Sequence, residues 1–176
     1  MERNKIRKYQ IFSVILTFIL GTILHFTYKW SGENKIVAIF SSINESTWEH
    51  LKLLYFPMLI SILIGYLYIG KKIPNFLCSK IIGIFSAIGF TIVFFYTYTG
   101  VLGKNIAAVD ISSFFISAML GEFVAYALMI NKFKCNNKKY IIILILIFLG
   151  FIIFTFYTPK IGLFKDPITG KYGILD

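Results

Sequence analysis

Residues 44–52 hold the densest set of reactive side chains in this chain of 176 residues. The segment reads Asn-Glu-Ser-Thr-Trp-Glu-His-Leu-Lys, so two carboxylates, an imidazole and an ammonium group stand directly before a long apolar run. Ionisable groups beside lipid are costly, and where they occur they usually carry a function. The segment is therefore the first place to look for a site.

Imidazoles and carboxylates are expected to meet at one end of the molecule. The candidate metal ligands are His25, Glu49, His50 and Asp110, and Glu45 is the candidate general base. Such a mixture suits Zn²⁺ or Mn²⁺. A bound ion of this kind lowers the pKa of a water molecule until hydroxide forms near neutral pH. Because neighbouring side chains on a helix point about 100° apart, Glu49 and His50 can share one ion only where a helix begins or breaks.

The same residues also have structural explanations. Residues 42–45 and 46–49 both fit the capping box, in which a glutamate reaches back to the amide of the helix cap. Asp110 precedes an apolar run and could cap a helix. Taken singly, each of these residues fits a structural role better. Taken together at one end of the molecule, the five residues fit a site and structural roles equally well.

Glu122 is the second candidate catalytic residue. It follows Asp110 by 12 residues, which is about 18 Å along a helix. No cap or membrane interface explains a carboxyl at that depth, so it points to a function. The structural alternative is a hydrogen bond to a neighbouring helix.

The elements that must position these residues are apolar helices. The chain is 57% apolar, 18% aromatic and 15% charged, with a mean hydropathy of +0.77, whereas soluble domains are about 45–50% apolar and about 25% charged. Runs long enough to cross about 30 Å of hydrocarbon occur at residues 10–28, 51–69, 81–99, 111–130 and 140–157. We expect an all-α, polytopic membrane bundle of about five helices forming one domain over residues 1–176. Residues 158–176 read as a turn-rich tail.

The net charge of +10 predicts an orientation and not a nucleic-acid partner. Lysines and arginines concentrate before the first run, between the second and third, and between the fourth and fifth. By the positive-inside rule these connections are cytoplasmic, which places the N-terminus inside and the C-terminus outside a bacterial cell membrane. The first run is long and lacks a cleavage site, so it should remain as a span. The basic loops should contact anionic lipid headgroups, and Cys78 and Cys135 should both be reduced thiols with no disulfide.

Three local features predict how the chain folds around the polar segment. Residues 36–47 could lie in the membrane interface or re-enter the membrane. A helix should begin between Ser42 and Thr47 and bend at Pro57, where the amide donor is missing. Small residues at four-residue spacing, Ser117, Gly121 and Ala125, should let a neighbouring helix approach closely.

The segment Asn-Glu-Ser-x-Trp-Glu-His-x-Lys, together with residues 157–173 of the tail, resembles a family of small multi-pass membrane proteins from low-GC bacteria. That family has no established activity. The resemblance therefore implies a membrane location and nothing about chemistry.

Three functions are compatible with the sequence. The first is a metal-dependent intramembrane hydrolase acting on a lipid or lipid-linked substrate. The second is a solute-binding or transport subunit that uses Glu122 and the outer polar cluster, although no inverted repeat supports a complete transporter. The third is a structural or regulatory protein whose polar segment docks a membrane-protein partner.

Overall fold

The computed structural model describes residues 2–174, and this part of the chain contains six α-helices and no β-strand. The helices are α1 (Glu2–Trp30), α2 (Lys35–Ala38), α3 (Thr47–Tyr68), α4 (Phe76–Leu102), α5 (Ala107–Ile130) and α6 (Asn137–Phe156). Single 3-10 turns lie at Gly70–Lys72 and Gly162–Phe164. All but α2 are long and apolar enough to cross a membrane, which confirms the expected five long helices and suits a multi-pass membrane protein. Each predicted run coincides with one long helix, and no run extends more than one residue beyond the end of its helix.

The long helices pack in an antiparallel bundle. On α1 and α3 the facing pairs are Tyr9–Ser61 and His25–His50, so these two helices run in opposite directions. The pairs Gly83–Gly121 and Thr91–Ser117 show the same for α4 and α5. We call the end where α1 stops and α3 starts the site end. We call the opposite end, which carries residues 69–78 and 130–137, the basic end.

A close helix contact lies between α4 and α5, at the small residues that the spacing singled out. A Cβ added to Gly83 would lie 2.5 Å from the carbonyl oxygen of Gly121, and one added to Gly121 would lie 2.6 Å from that of Gly83. Ser117 and Ala125 of the same α5 face are buried, and Ser117 accepts a 2.8 Å hydrogen bond from Thr91 of α4. The predicted close approach is confirmed.

Helix α3 begins where the sequence indicated. Ser46 is its N-cap and its hydroxyl accepts from the Glu49 amide at 3.4 Å. The helix continues through Pro57, which cannot donate to the Leu53 carbonyl. A Cβ added to Gly21 of α1 would lie 2.6 Å from that carbonyl oxygen, so the glycine lets α1 approach the freed acceptor. A bend at Pro57 stays a prediction.

The cysteines differ from expectation, because Cys78 and Cys135 form a disulfide. Their Cα atoms are 6.5 Å apart although 57 residues separate them in the sequence. Asn137 brings the two connections of the basic end together, since its side chain accepts from the Cys78 amide at 3.2 Å and donates to the Pro74 carbonyl at 3.2 Å. Only the folded bundle reveals that these connections are neighbours.

Substituting Gly83 by leucine should destabilise the bundle, because its side chain would meet the backbone of Gly121. Overpacking of this kind costs about 1–3 kcal/mol, or about 5 °C in Tm for a chain of this size. Thermal unfolding in detergent measures it. Gly89→Leu is the matched control on the same helix, since a Cβ there meets nothing within 4 Å. Equal melting temperatures for the two variants would contradict the packing described.

Candidate functional site

Three of the predicted residues converge at the site end. His25 lies near the end of α1, Glu45 in the connection before α3, and His50 in the first turn of α3. Nε2 of His50 is 3.3 Å from one carboxylate oxygen of Glu45, and Nε2 of His25 is 3.9 Å from the other. The imidazole centroids are 5.3 Å apart. All three side chains are half-buried.

The three side chains of this trio could hold a metal ion. One ligand atom from each residue lies within 4.8 Å of the other two, and no second group of three or more His, Cys, Asp or Glu side chains does so among residues 2–174. Tetrahedral zinc with bonds of about 2.0–2.1 Å needs ligand atoms roughly 3.3 Å apart. Glu45 and His50 already meet that distance. His25 faces the other carboxylate oxygen of Glu45 at 3.9 Å, and the three ligand atoms lie only within 4.8 Å of one another, so His25 would have to move toward both partners before all three bound one tetrahedral ion. Two imidazoles with one carboxylate are a donor set of catalytic zinc sites, whose fourth position holds water.

The hydrogen bond at Nδ1 of His50 determines whether Nε2 of a neutral ring carries a proton or a lone pair. Nδ1 lies 3.0 Å from the carbonyl oxygen of Ser46, which can only accept, so Nδ1 carries a proton and donates it. In a neutral ring Nε2 then presents a lone pair to the Glu45 carboxylate. Two such acceptors 3.3 Å apart need a cation between them, either a proton on Nε2 or a metal ion. Hydrogen bonding to His50 also lowers the pKa of the Glu45 carboxyl, which keeps it ionised.

A cavity of ≈ 340 Å³ opens beside His25 and Glu45. Its other walls come from the end of α1, from residues 42–44, and from Asp166, Ile168 and Thr169 of the tail. The Asp166 carboxylate accepts from the amides of Ile168 and Thr169 at 2.7 and 3.2 Å, which shapes this turn of the tail. Asn44 donates to the Gly173 carbonyl at 2.9 Å and holds the tail over the connection. The turn-rich tail is thus a wall of the cavity, a role that its composition did not indicate.

Glu49 is not part of the trio, because it serves the connection that carries Glu45. Its carboxylate lies 2.5 Å from Nζ of Lys52 and accepts from the Ile43 amide at 3.1 Å. Lys52 also donates to the Ala38 carbonyl at 2.8 Å and to the Thr155 hydroxyl of α6 at 2.9 Å. The lysine side chain is 0% exposed and that of Glu49 3%. This buried pair therefore ties the connection to α3 and α6.

Asp110 also lies outside the trio. Its carboxylate accepts a short hydrogen bond from the Tyr98 hydroxyl, whose oxygen accepts from the Ile106 amide at 3.2 Å. Asp110 stands in the first turn of α5, where Ile106 is the N-cap. It joins the ends of α4 and α5 in place of the capping role considered from the sequence.

Glu122 belongs to a separate buried cluster. Nζ of Lys80 lies 2.6 and 2.5 Å from its two oxygens, and Ser13 of α1 donates to it at 2.7 Å. Ser13 precedes His25 by 12 residues in α1, or about 18 Å. Glu122 is therefore not brought to the trio, and it is not among the residues that line the cavity.

Lys80 directly precedes the third predicted apolar run, residues 81–99, so the sequence predicts a loop residue at this position, and that prediction is wrong. It lies inside α4 and its side chain is 0% exposed. The predicted run leaves Lys80 outside it, although a deep carboxyl such as Glu122 needs a buried cation as its partner. That requirement was the signal that could have identified Lys80.

Replacing Lys52 by methionine should destabilise the protein strongly, because Glu49 is left as an unpaired buried charge. Breaking such a pair costs about 3–5 kcal/mol, which thermal unfolding would show as a Tm lower by about 10 °C. Adding Glu49→Gln to Lys52→Met should recover part of the loss. Lys35→Met, at an exposed lysine, is the control, and a Lys52→Met variant as stable as this control would refute the structural role.

Comparison with known proteins places the chain in a family without assigning an activity. The chain has no significant match among the curated proteins or among the solved structures. A family model matches residues 1–174, a range that includes all six helices and the three converging residues. Because the match covers nearly the whole chain, the protein belongs to DUF6512, a family of unknown function.

Proposed function

We propose that this membrane protein binds one transition-metal ion, Zn²⁺ or Mn²⁺, through His25, Glu45 and His50, and uses it to hydrolyse a lipid or lipid-linked substrate. The observation that carries the proposal is the 3.3 Å approach of the Glu45 carboxylate to Nε2 of His50. The Ser46 carbonyl orients the ring through Nδ1. Metal-bound histidines are commonly held by just such an acceptor on their other nitrogen.

A metal ion accounts for the trio better than a proton does. A proton on His50 would satisfy Glu45 but would leave the approach of His25 to the second carboxylate oxygen unexplained. Nδ1 of His25 is buried and has no hydrogen-bond partner within residues 2–174, so no hydrogen bond orients this ring as the Ser46 carbonyl orients His50. A divalent ion would use all three donors at once.

The surroundings of the trio favour an amphiphilic substrate. Phe26 lines the cavity, and its ring stacks on Trp30 with centroids 5.7 Å apart. These side chains are 43% and 69% exposed, as in the aromatic belts of membrane interfaces. An apolar chain could lie along them while its polar head enters the cavity beside the ion.

The chemistry would be metal-assisted hydrolysis. A bound ion would polarise the scissile carbonyl or phosphoryl group and supply hydroxide at neutral pH. Glu45 then acts as a ligand, which replaces the general-base role considered from the sequence. Glu33 lines the same cavity and is the candidate to accept the proton.

Metal binding is tested by equilibrium dialysis of the purified protein against Zn²⁺ or Mn²⁺, followed by elemental analysis. We expect one ion per chain, and a Kd raised at least about tenfold in His25→Ala, Glu45→Gln and His50→Ala, since even second-shell changes cost about 10–100-fold. Asp110→Asn is the matched control and should bind normally. A wild-type protein without stoichiometric metal, or unchanged binding in all three variants, would overturn the proposal. Loss in Asp110→Asn would instead restore the ligand set inferred from the sequence.

Metal affinity should fall in acid, because both imidazoles must be neutral to bind. The ordinary pKa of histidine is about 6.5, so below that range two protons compete with the ion. Kd should then rise by up to about 100-fold per pH unit. Titrations between pH 5 and 8 measure this slope, and a Kd that stays constant over the range would exclude imidazole ligands.

Hydrolysis is tested separately from binding. The metal-loaded protein is reconstituted in vesicles of mixed phospholipids, and products are followed by mass spectrometry. We expect release of headgroup or acyl products by the wild type and none by His50→Ala. Full metal occupancy without products from any lipid class would reject the hydrolase and leave metal binding. Proton-coupled uptake lost in Glu122→Gln would favour the transport alternative, and neither effect would favour partner docking.

A further inference from the structure

The disulfide at the basic end lies about as far from the trio as the bundle allows. We propose that Cys78 and Cys135 form a reversible dithiol–disulfide pair, in which Cys135 reacts with an anionic low-molecular-weight disulfide and Cys78 resolves the adduct. This thiol modification site is independent of the proposed metal chemistry.

The two cysteines have different access to solvent. Cys78 is 0% exposed within the first turn of α4, whereas Cys135 is half-buried in the connection between α5 and α6. A reagent from solution therefore meets Cys135 first. The Cα distance of 6.5 Å lies within the range of disulfides, about 4.4–6.8 Å, so Cys78 can reach the Cys135 sulfur without rearrangement of the helices.

The site also accommodates the reduced form. Sγ of Cys78 lies 3.4 Å from the Asn75 carbonyl oxygen, an acceptor that only a thiol can use. Asn75 donates to the Leu128 carbonyl at 2.8 Å, and Asn137 holds the Cys78 amide and the Pro74 carbonyl. These hydrogen bonds keep α4, α5 and α6 together when the sulfurs separate.

The charge around Cys135 indicates both the reagent and the compartment. Residues 127–140 contain lysines at 132, 134, 138 and 139 and no carboxylate. This cationic stretch attracts an anionic disulfide and favours the thiolate, which is the reactive form. The positive-inside rule predicts this end to be cytoplasmic, where disulfides are usually transient or redox-sensing.

The reaction is a pair of balanced exchanges. The Cys135 thiolate attacks one sulfur of the small disulfide, forms a mixed disulfide and releases one small thiolate. The Cys78 thiolate then attacks the Cys135 sulfur, closes the protein disulfide and releases the second small thiolate. Two protein thiols are oxidised and one small disulfide is reduced to two thiols. Excess small thiol reverses both steps.

The test uses the full-length protein in detergent, reduced and then exposed to oxidised glutathione, with mass spectrometry and maleimide labelling of free thiols. The wild type should lose both thiols without retaining glutathione, and reduced glutathione should restore them. Cys78→Ser should trap one glutathione on Cys135. Cys135→Ser should stay unmodified while folded, because Cys78 is buried. The double variant is the blank.

Four results would overturn the proposal. One is a wild-type protein that keeps two free thiols under oxidised glutathione, and another is a disulfide that reduced glutathione cannot open. A third is a Cys78→Ser protein without an adduct. The fourth is equal modification of Cys78 and Cys135 in the single variants. Metal binding by the trio does not enter any of these readouts.

Discussion

A charge buried in an apolar bundle must be neutralised within it, and this constraint organises the site end of the protein. Lys52 is fully buried in α3, and its ammonium group meets the Glu49 carboxylate, the Ala38 carbonyl and the Thr155 hydroxyl. Glu49 in turn holds the Ile43 amide. An unpaired buried ion would cost several kcal/mol in desolvation. The connection between α1 and α3 is therefore held at Ala38 by Lys52 and at Ile43 by Glu49. Glu45, which lies within that connection, is thereby positioned against the two histidines.

The same constraint separates a structural cluster from a candidate site. Around Lys80 and Glu122 every strong partner is present: the ion pair is direct, Ser13 bonds both groups, and the two charged side chains are at most 2% exposed. This cluster joins α1, α4 and α5, and both of its charged groups already have partners within the protein. The trio is the opposite case. His25, Glu45 and His50 are half-exposed, and His25 and Glu45 line a cavity. Nε2 of His50 and the Glu45 carboxylate lie 3.3 Å apart and need a proton or a metal ion between them.

Much of the fold follows from sequence because local patterns determine it. Hydropathy alone places the five long helices, Ser46 specifies the start of α3, and small residues locate the α4–α5 contact. The roles of the carboxylates do not follow in the same way. Glu45 and Glu49 are one turn apart in the sequence, and only the partners supplied by distant residues decide that one faces His50 and the other Lys52. Lys80 and the cysteine pair were misassigned for the same reason, since their partners lie on other helices and connections.

X-ray absorption spectroscopy of the zinc-loaded protein tests the central claim most directly, because it reports the atoms bound to the ion. The account predicts a first shell of nitrogen and oxygen at about 2.0–2.1 Å with the multiple scattering of two imidazoles. His50→Ala should lose one imidazole contribution, and Asp110→Asn should leave the spectrum unchanged. Sulfur at about 2.3 Å would place the ion at the cysteines, and a shell without imidazole would place it on carboxylates. Either spectrum would contradict a metal centre built from His25, Glu45 and His50.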